Sequence, residues 1–92
     1  MPVTVRIPMP LRQLTGGRAE VAGAGPTLAD LIGQLDQSHP GLSERLLQDG
    51  AVNRAINVYV NDEDIRFLSG LATAVADGDR VTIVPAVAGG AA

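Results

Sequence analysis

The residues of this chain best suited to chemistry stand at its end, Pro85-Ala86-Val87-Ala88-Gly89-Gly90-Ala91-Ala92. A glycine pair follows a β-forming run, Arg80-Val81-Thr82-Ile83-Val84, with only Ala91 and Ala92 after it. Glycine has no Cβ, so Gly89-Gly90 can extend and pass through a channel too narrow for any other backbone. The chemistry this suits is that of a C-terminal carboxylate. If Gly90 becomes the terminus, its carboxylate can be activated and handed to a partner enzyme. Val87, Ala88 and Gly89 would be the stretch inserted into that enzyme, and Ala91 and Ala92 would have to be removed first. The same residues also fit a plain small-residue tail with no role.

Other clusters carry less. Asp62-Glu63-Asp64 is acidic, but a hard cation needs several oxygens converging on one point, and neighbours on a short turn rarely supply that. It reads as a solvated hairpin turn, and no metal site is expected. His39, before Pro40 and Gly41, suits a helix end. With Ser43 and Glu44 it makes no triad, because nothing places an oxyanion site near them. Gly16-Gly17 and Gly23-Ala24-Gly25 are turn glycines without the Lys-Ser/Thr of a phosphate-binding loop. No bound cofactor is expected; any ATP would belong to a partner.

The chain has no Cys, which excludes side-chain thiol chemistry, zinc–thiolate sites and disulfides. It has no Lys either, since all seven basic residues are Arg. Such a chain could donate its C-terminus to an amine elsewhere but could not be linked through lysines of its own. With one Phe and one Tyr it offers no aromatic platform for bases, and its net charge of −3 argues against nucleic acid. Apolar runs are too short for a membrane span, and Met1-Pro2-Val3-Thr4-Val5 lacks the features of a signal peptide. A cytoplasmic location is the expectation.

Ninety-two residues make one domain, expected over residues 1–86, with 87–92 as a tail. Val3-Thr4-Val5-Arg6-Ile7 alternates with period two, as a half-buried strand does, and Pro8 and Pro10 end it. Ala19 to Ala22 reads as a second strand pairing back on the first. Thr27 is a candidate N-cap, and Leu28, Leu31, Ile32 and Leu35 form one apolar helical stripe, stopped by His39-Pro40-Gly41. Ser43 to Leu47 suits a short second helix, ended by Asp49-Gly50. Ile56 to Val60 is the clearest strand, closed by Asn61-Asp62. Ile65 to Phe67 reads as a short strand and Leu71 to Val75 as a turn of helix. Arg80 to Val84 is the last strand. One main helix covering one face of a mixed four- to five-stranded sheet is an α+β arrangement. The order suggests the β-grasp, ubiquitin-like architecture, with the last strand central and parallel to the first.

Strand alternation turns Tyr59 and Val84 away from the core. They form either a docking face for a partner, rimmed by Arg6, Arg66 and Arg80, or a surface covered by a neighbouring loop.

Two stretches, Asn57-Val58-Tyr59-Val60-Asn61-Asp62-Glu63-Asp64-Ile65-Arg66-Phe67 and Asp77-Gly78-Asp79 through Val84-Pro85 to Gly89-Gly90, resemble the ThiS/MoaD sulfur carriers. The closest likeness is to the branch serving cysteine biosynthesis, in the Val-Thr-Val opening, the Ser-Glu-Arg-Leu segment and the Val-Ala-Gly-Gly end. The resemblance implies a protein cosubstrate that is not itself an enzyme. An E1-like adenylyltransferase/sulfurtransferase would use ATP to adenylate Gly90 and convert it to a thiocarboxylate. A PLP-dependent cysteine synthase, or another sulfur-incorporating synthase, would take the sulfur. Ala91-Ala92 departs from the family pattern. A pro-form trimmed by a JAMM-type zinc metalloprotease, an appendage of recombinant origin and a retired tail all fit, the first being favoured. Alternatives to the carrier role are a MoaD-like small subunit of molybdopterin synthase, a covalent protein modifier and a noncovalent binding module.

Overall fold

The computed structural model describes residues 2–85; the sequence-predicted residues Ala86 to Ala92 lie outside it. Val3–Arg6 (β1) pairs antiparallel with Glu20–Gly23 (β2), with Val5 opposite Val21 and Arg6 opposite Glu20. Between them, Met9–Thr15 forms a 3₁₀ helix. Pro8 and Pro10 exclude a strand here, and Thr15 closes the helix by donating its hydroxyl to the carbonyls of Arg12 and Arg18.

Leu28–Ser38 (α1) begins where expected, with Thr27 Oγ1 accepting the Asp30 N–H at 3.3 Å. Its stripe of Leu28, Leu31, Ile32 and Leu35 is buried against the sheet. Leu42–Leu46 (α2) follows through Gly41, whose φ of 96° favours glycine. Asp49-Gly50 then does more than end a helix. It turns a small hairpin of Leu47–Gln48 (β3) and Ala51–Val52 (β4), which two-residue strands do not reveal in a sequence.

Ile56–Val60 (β5) and Arg80–Pro85 (β7) pair antiparallel over five positions, from Ile56 opposite Pro85 to Val60 opposite Val81. Asn61 and Asp62, both at positive φ, turn the chain into Glu63–Asp64 (β6). The expected strand at Ile65–Phe67 is instead a 3₁₀ turn. The Asp64 carboxylate accepts the Arg66 N–H at 2.8 Å, which caps that turn and ends the ladder. A second 3₁₀ turn spans Gly70–Ala72.

The sheet order is β2-β1-β7-β5-β6, with β7 central and parallel to β1, so the β-grasp expectation holds. Val3, Val5, Val58, Val60, Val81 and Ile83 face α1 and form the core with its leucines. The opposite face, free of helices among the described residues, carries Thr4, Arg6, Asn57, Tyr59, Arg80, Thr82 and Val84.

Candidate functional site: the root of the tail and its surroundings

The central strand leads straight toward the tail. β7 pairs with β1 over residues 80–82 and with β5 over residues 81–85, and its last described residue, Pro85, sits opposite Ile56. Proline has no N–H to carry the ladder further, which suits a strand end. Gly90 is the fifth residue after Pro85, a stretch whose fully extended length is about 17 Å. Gly90, Gly89, Val87, Ala88, Ala91 and Ala92 themselves lie outside the described residues.

The start of β7 is held by side chains. Asn61 Nδ2 donates to Asp79 Oδ1 at 3.0 Å, and Asn61 Oδ1 accepts the Arg80 N–H at 2.9 Å. Asp79 Oδ2 accepts the Ala76 N–H at 2.9 Å. The Asn61 amide, with help from the Ala76 N–H, holds the Asp79 carboxyl below its ordinary value.

The open sheet face groups most of the docking candidates. Tyr59 and Val84 are half-buried, and Thr82, opposite Tyr59, lies between them on β7. Arg6 and Arg80 share Glu20, at 3.6 Å and 3.9 Å from its Oε2. These contacts are half-exposed and each is worth at most about 1 kcal/mol, so both guanidinium groups stay available to a partner. Arg66 is engaged differently. It grips Asp64 with Nη2 2.7 Å from Oδ2 and Nε 3.2 Å from both oxygens. The Arg66 side chain is the main cause holding the Asp64 carboxyl low, and Asp64 in turn raises Arg66. Of the acidic run, Asp62 and Glu63 are exposed as expected, whereas Asp64 is buried in this clamp.

Two features had no signal in the sequence. Phe67 is 82% exposed, although it is the only Phe in the chain. A furrow of two adjoining grooves lies beside the tail root: the first is lined by Pro8, Leu11, Arg45 and Pro85 and shares Asn53 and Ile56 with the second. The second groove, of about 460 Å³, lies between β5, the β3–β4 hairpin and the two 3₁₀ turns that follow β6. Among the described residues no helix is long and apolar enough to cross a membrane.

Comparison with known proteins agrees with this geometry. The ThiS family model matches residues 5–90. The sulfur carrier protein CysO of Mycobacterium tuberculosis is 55% identical over 93 residues, which cover 98% of this chain and all of that protein. A chain in the crystal structure of the Amycolatopsis orientalis BexX/CysO complex superposes with a TM-score of 0.91 at 49% identity, covering 95% of this chain and 98% of that one. Small archaeal modifier protein 3 of Haloferax volcanii is 42% identical over 64 residues, covering 70% of each chain.

Proposed function

The chain belongs to the ThiS family of ubiquitin-like sulfur carriers, and from that premise we propose that Gly90 is the residue on which it carries sulfur. Hydrolysis of the Gly90–Ala91 peptide bond, by a metalloprotease of the JAMM type, releases Ala91-Ala92 and leaves a free carboxylate. That carboxylate attacks the α-phosphorus of ATP held by an E1-like enzyme, and pyrophosphate leaves. The acyl-adenylate gives the carbonyl carbon a good leaving group. A sulfide equivalent on the enzyme side then displaces AMP, and the product is a thiocarboxylate. Its sulfur is consumed by a sulfur-incorporating enzyme, for which a PLP-dependent cysteine synthase is the reading that the CysO likeness favours. The BexX/CysO complex of Amycolatopsis orientalis supports docking of such a chain onto another protein.

The observation that carries the reading is the junction of fold and tail. A central strand, held at its start by Asn61 and Asp79, ends on Pro85, and the sequence runs on from there to the Gly-Gly pair. The family match also ends at Gly90, so Ala91-Ala92 falls outside the family pattern. The open face with Tyr59, Val84, Arg6 and Arg80 is the surface on which the activating enzyme would settle while the tail enters its site. Arg66, tied to Asp64, contributes less to that contact.

A cysteine-free chain makes the test clean. A thiol-alkylating reagent finds no side-chain thiol here, so an adduct mapped to the C-terminal residue of protein recovered from its own cells sits on an acquired sulfur. The reading predicts an adduct on Gly90 of a chain lacking both alanines. Complete absence of adduct from cells growing on limited sulfur overturns it. The likeness to an archaeal modifier protein supports a second reading, in which Gly90 is joined to lysines of other proteins. Larger conjugates in cell extracts distinguish it.

A further inference from the structure

We propose that the furrow beside the tail root receives an extended, acidic, apolar segment of a partner protein, as a second docking surface separate from the open sheet face. Its floor is apolar, formed by Val52, Ile56, Val58, Ile65 and Leu71. One wall is the edge of β5. β6 pairs only with Tyr59 and Val60, so among the described residues no strand covers Ile56 to Val58 on that side. An edge of this kind fits an extended segment, whose alternate side chains point down to the floor and out to the rim.

The charge identifies the segment. Arg45, Arg54 and Arg66 line the furrow against a single carboxylate, Asp64, which Arg66 already holds. The rest of the chain has the opposite balance, four arginines against nine carboxylates. Arg45 and Arg54 are exposed and make no ion pair among the described residues. An otherwise acidic protein thus concentrates positive charge along this apolar furrow, where acidic side chains are attracted and basic ones repelled. The furrow borders Pro85 and Ile56, so its occupant lies beside whatever enzyme holds the tail. That the segment belongs to such an enzyme rests on the sulfur-carrier reading; occupancy of the furrow does not.

The test is a titration of the full-length, isotope-labelled chain with a capped peptide of alternating Val and Glu, followed by NMR. The expected result is a Kd of about 1 mM or tighter, with shifts confined to Val52 to Val58, Ile65 and Leu71. The same peptide with Lys for Glu should bind at least about fivefold more weakly, as should the Arg45→Gln/Arg54→Gln double variant toward the original peptide. Shifts on Tyr59, Thr82 and Val84 instead, no saturation by about 5 mM, or equal binding of the Lys peptide overturn the proposal. So do furrow resonances that move on dilution, which mark a second copy. Furrow resonances that move on deleting residues 86–92 do the same, since they mark the chain's own tail. If the furrow fails while Gly90 is still alkylated in cells, only this proposal falls; if Gly90 is never alkylated while the peptide binds as expected, only the carrier reading falls.

Discussion

Gly25 tests how tightly the entry to α1 is held. A Cβ placed there would stand 2.7 Å from the backbone nitrogen of Leu31 and 2.9 Å from the carbonyl carbon of Asp30. Ordinary contact is about 3.5 Å, so the overlap is more than half an ångström, and it is with backbone rather than with a flexible side-chain tip. The helix start cannot move away easily. Leu28 N–H donates to the Thr73 carbonyl at 2.9 Å, Val75 N–H to that of Pro26 at 3.1 Å, and Thr27 bridges Ala74. Leu28 and Leu31 are fully buried behind it. Overpacking of this kind costs about 1–3 kcal/mol, and loss of the Thr27 cap adds about 1. Gly25→Ala should therefore destabilise by about 2–4 kcal/mol, or about 10–25 °C in Tm for a domain of this size. Gly33 is the control within the same helix. A Cβ there meets nothing within 4 Å, so Gly33→Ala should gain about 0.5–1 kcal/mol. The assay is denaturant unfolding, with the midpoint shifting at constant slope. A Gly25→Ala chain as stable as the parent, or a destabilised Gly33→Ala chain, refutes the packing argument.

Two further outcomes are expected. In the trimmed form, Gly90→Ala should reduce sulfur loading at least about tenfold, because the added Cβ narrows clearance at the reacting carbon, while the melting temperature stays unchanged; loading at the parental rate contradicts the tail mechanism. On the acid side, Asp64 and Asp79 have folded pKa values below the ordinary 3.8. Their stabilisation is fully present above that value and is lost as pH falls through their lowered pKa values. An Asp64→Asn/Asp79→Asn chain should be less stable at neutral pH and should lose less stability than the parent below pH 3.8, measured by denaturant midpoint across that range; parallel acid curves for the two chains contradict it.

The long elements were legible because periodicity and capping agree in them. Val3 to Ile7 and Ile56 to Val60 alternate cleanly, and Thr27 with the Leu28 stripe announces α1 by both cap and face. Short elements were not, since two residues carry no period. Leu47–Gln48 and Ala51–Val52 form a hairpin through Asp49-Gly50, a pair that reads equally well as a helix end. Ile65-Arg66-Phe67 has β-forming composition, but a single hydrogen bond from Arg66 N–H to Asp64 decides for a 3₁₀ turn. The proposed tail chemistry rests on residue order alone, Pro85 through Gly90. The furrow was not legible, because Arg45, Arg54 and Arg66 come together only when the hairpin and the turns after β6 fold against β5.

The central claim is that Gly90, once terminal, carries sulfur, and the intact mass of the protein recovered from its own cells without reductive or alkaline treatment tests it most directly. The account predicts a chain lighter by both alanines, with a fraction heavier by the difference between one sulfur and one oxygen. A single species retaining Ala91 and Ala92 while the cells are demanding sulfur would contradict it.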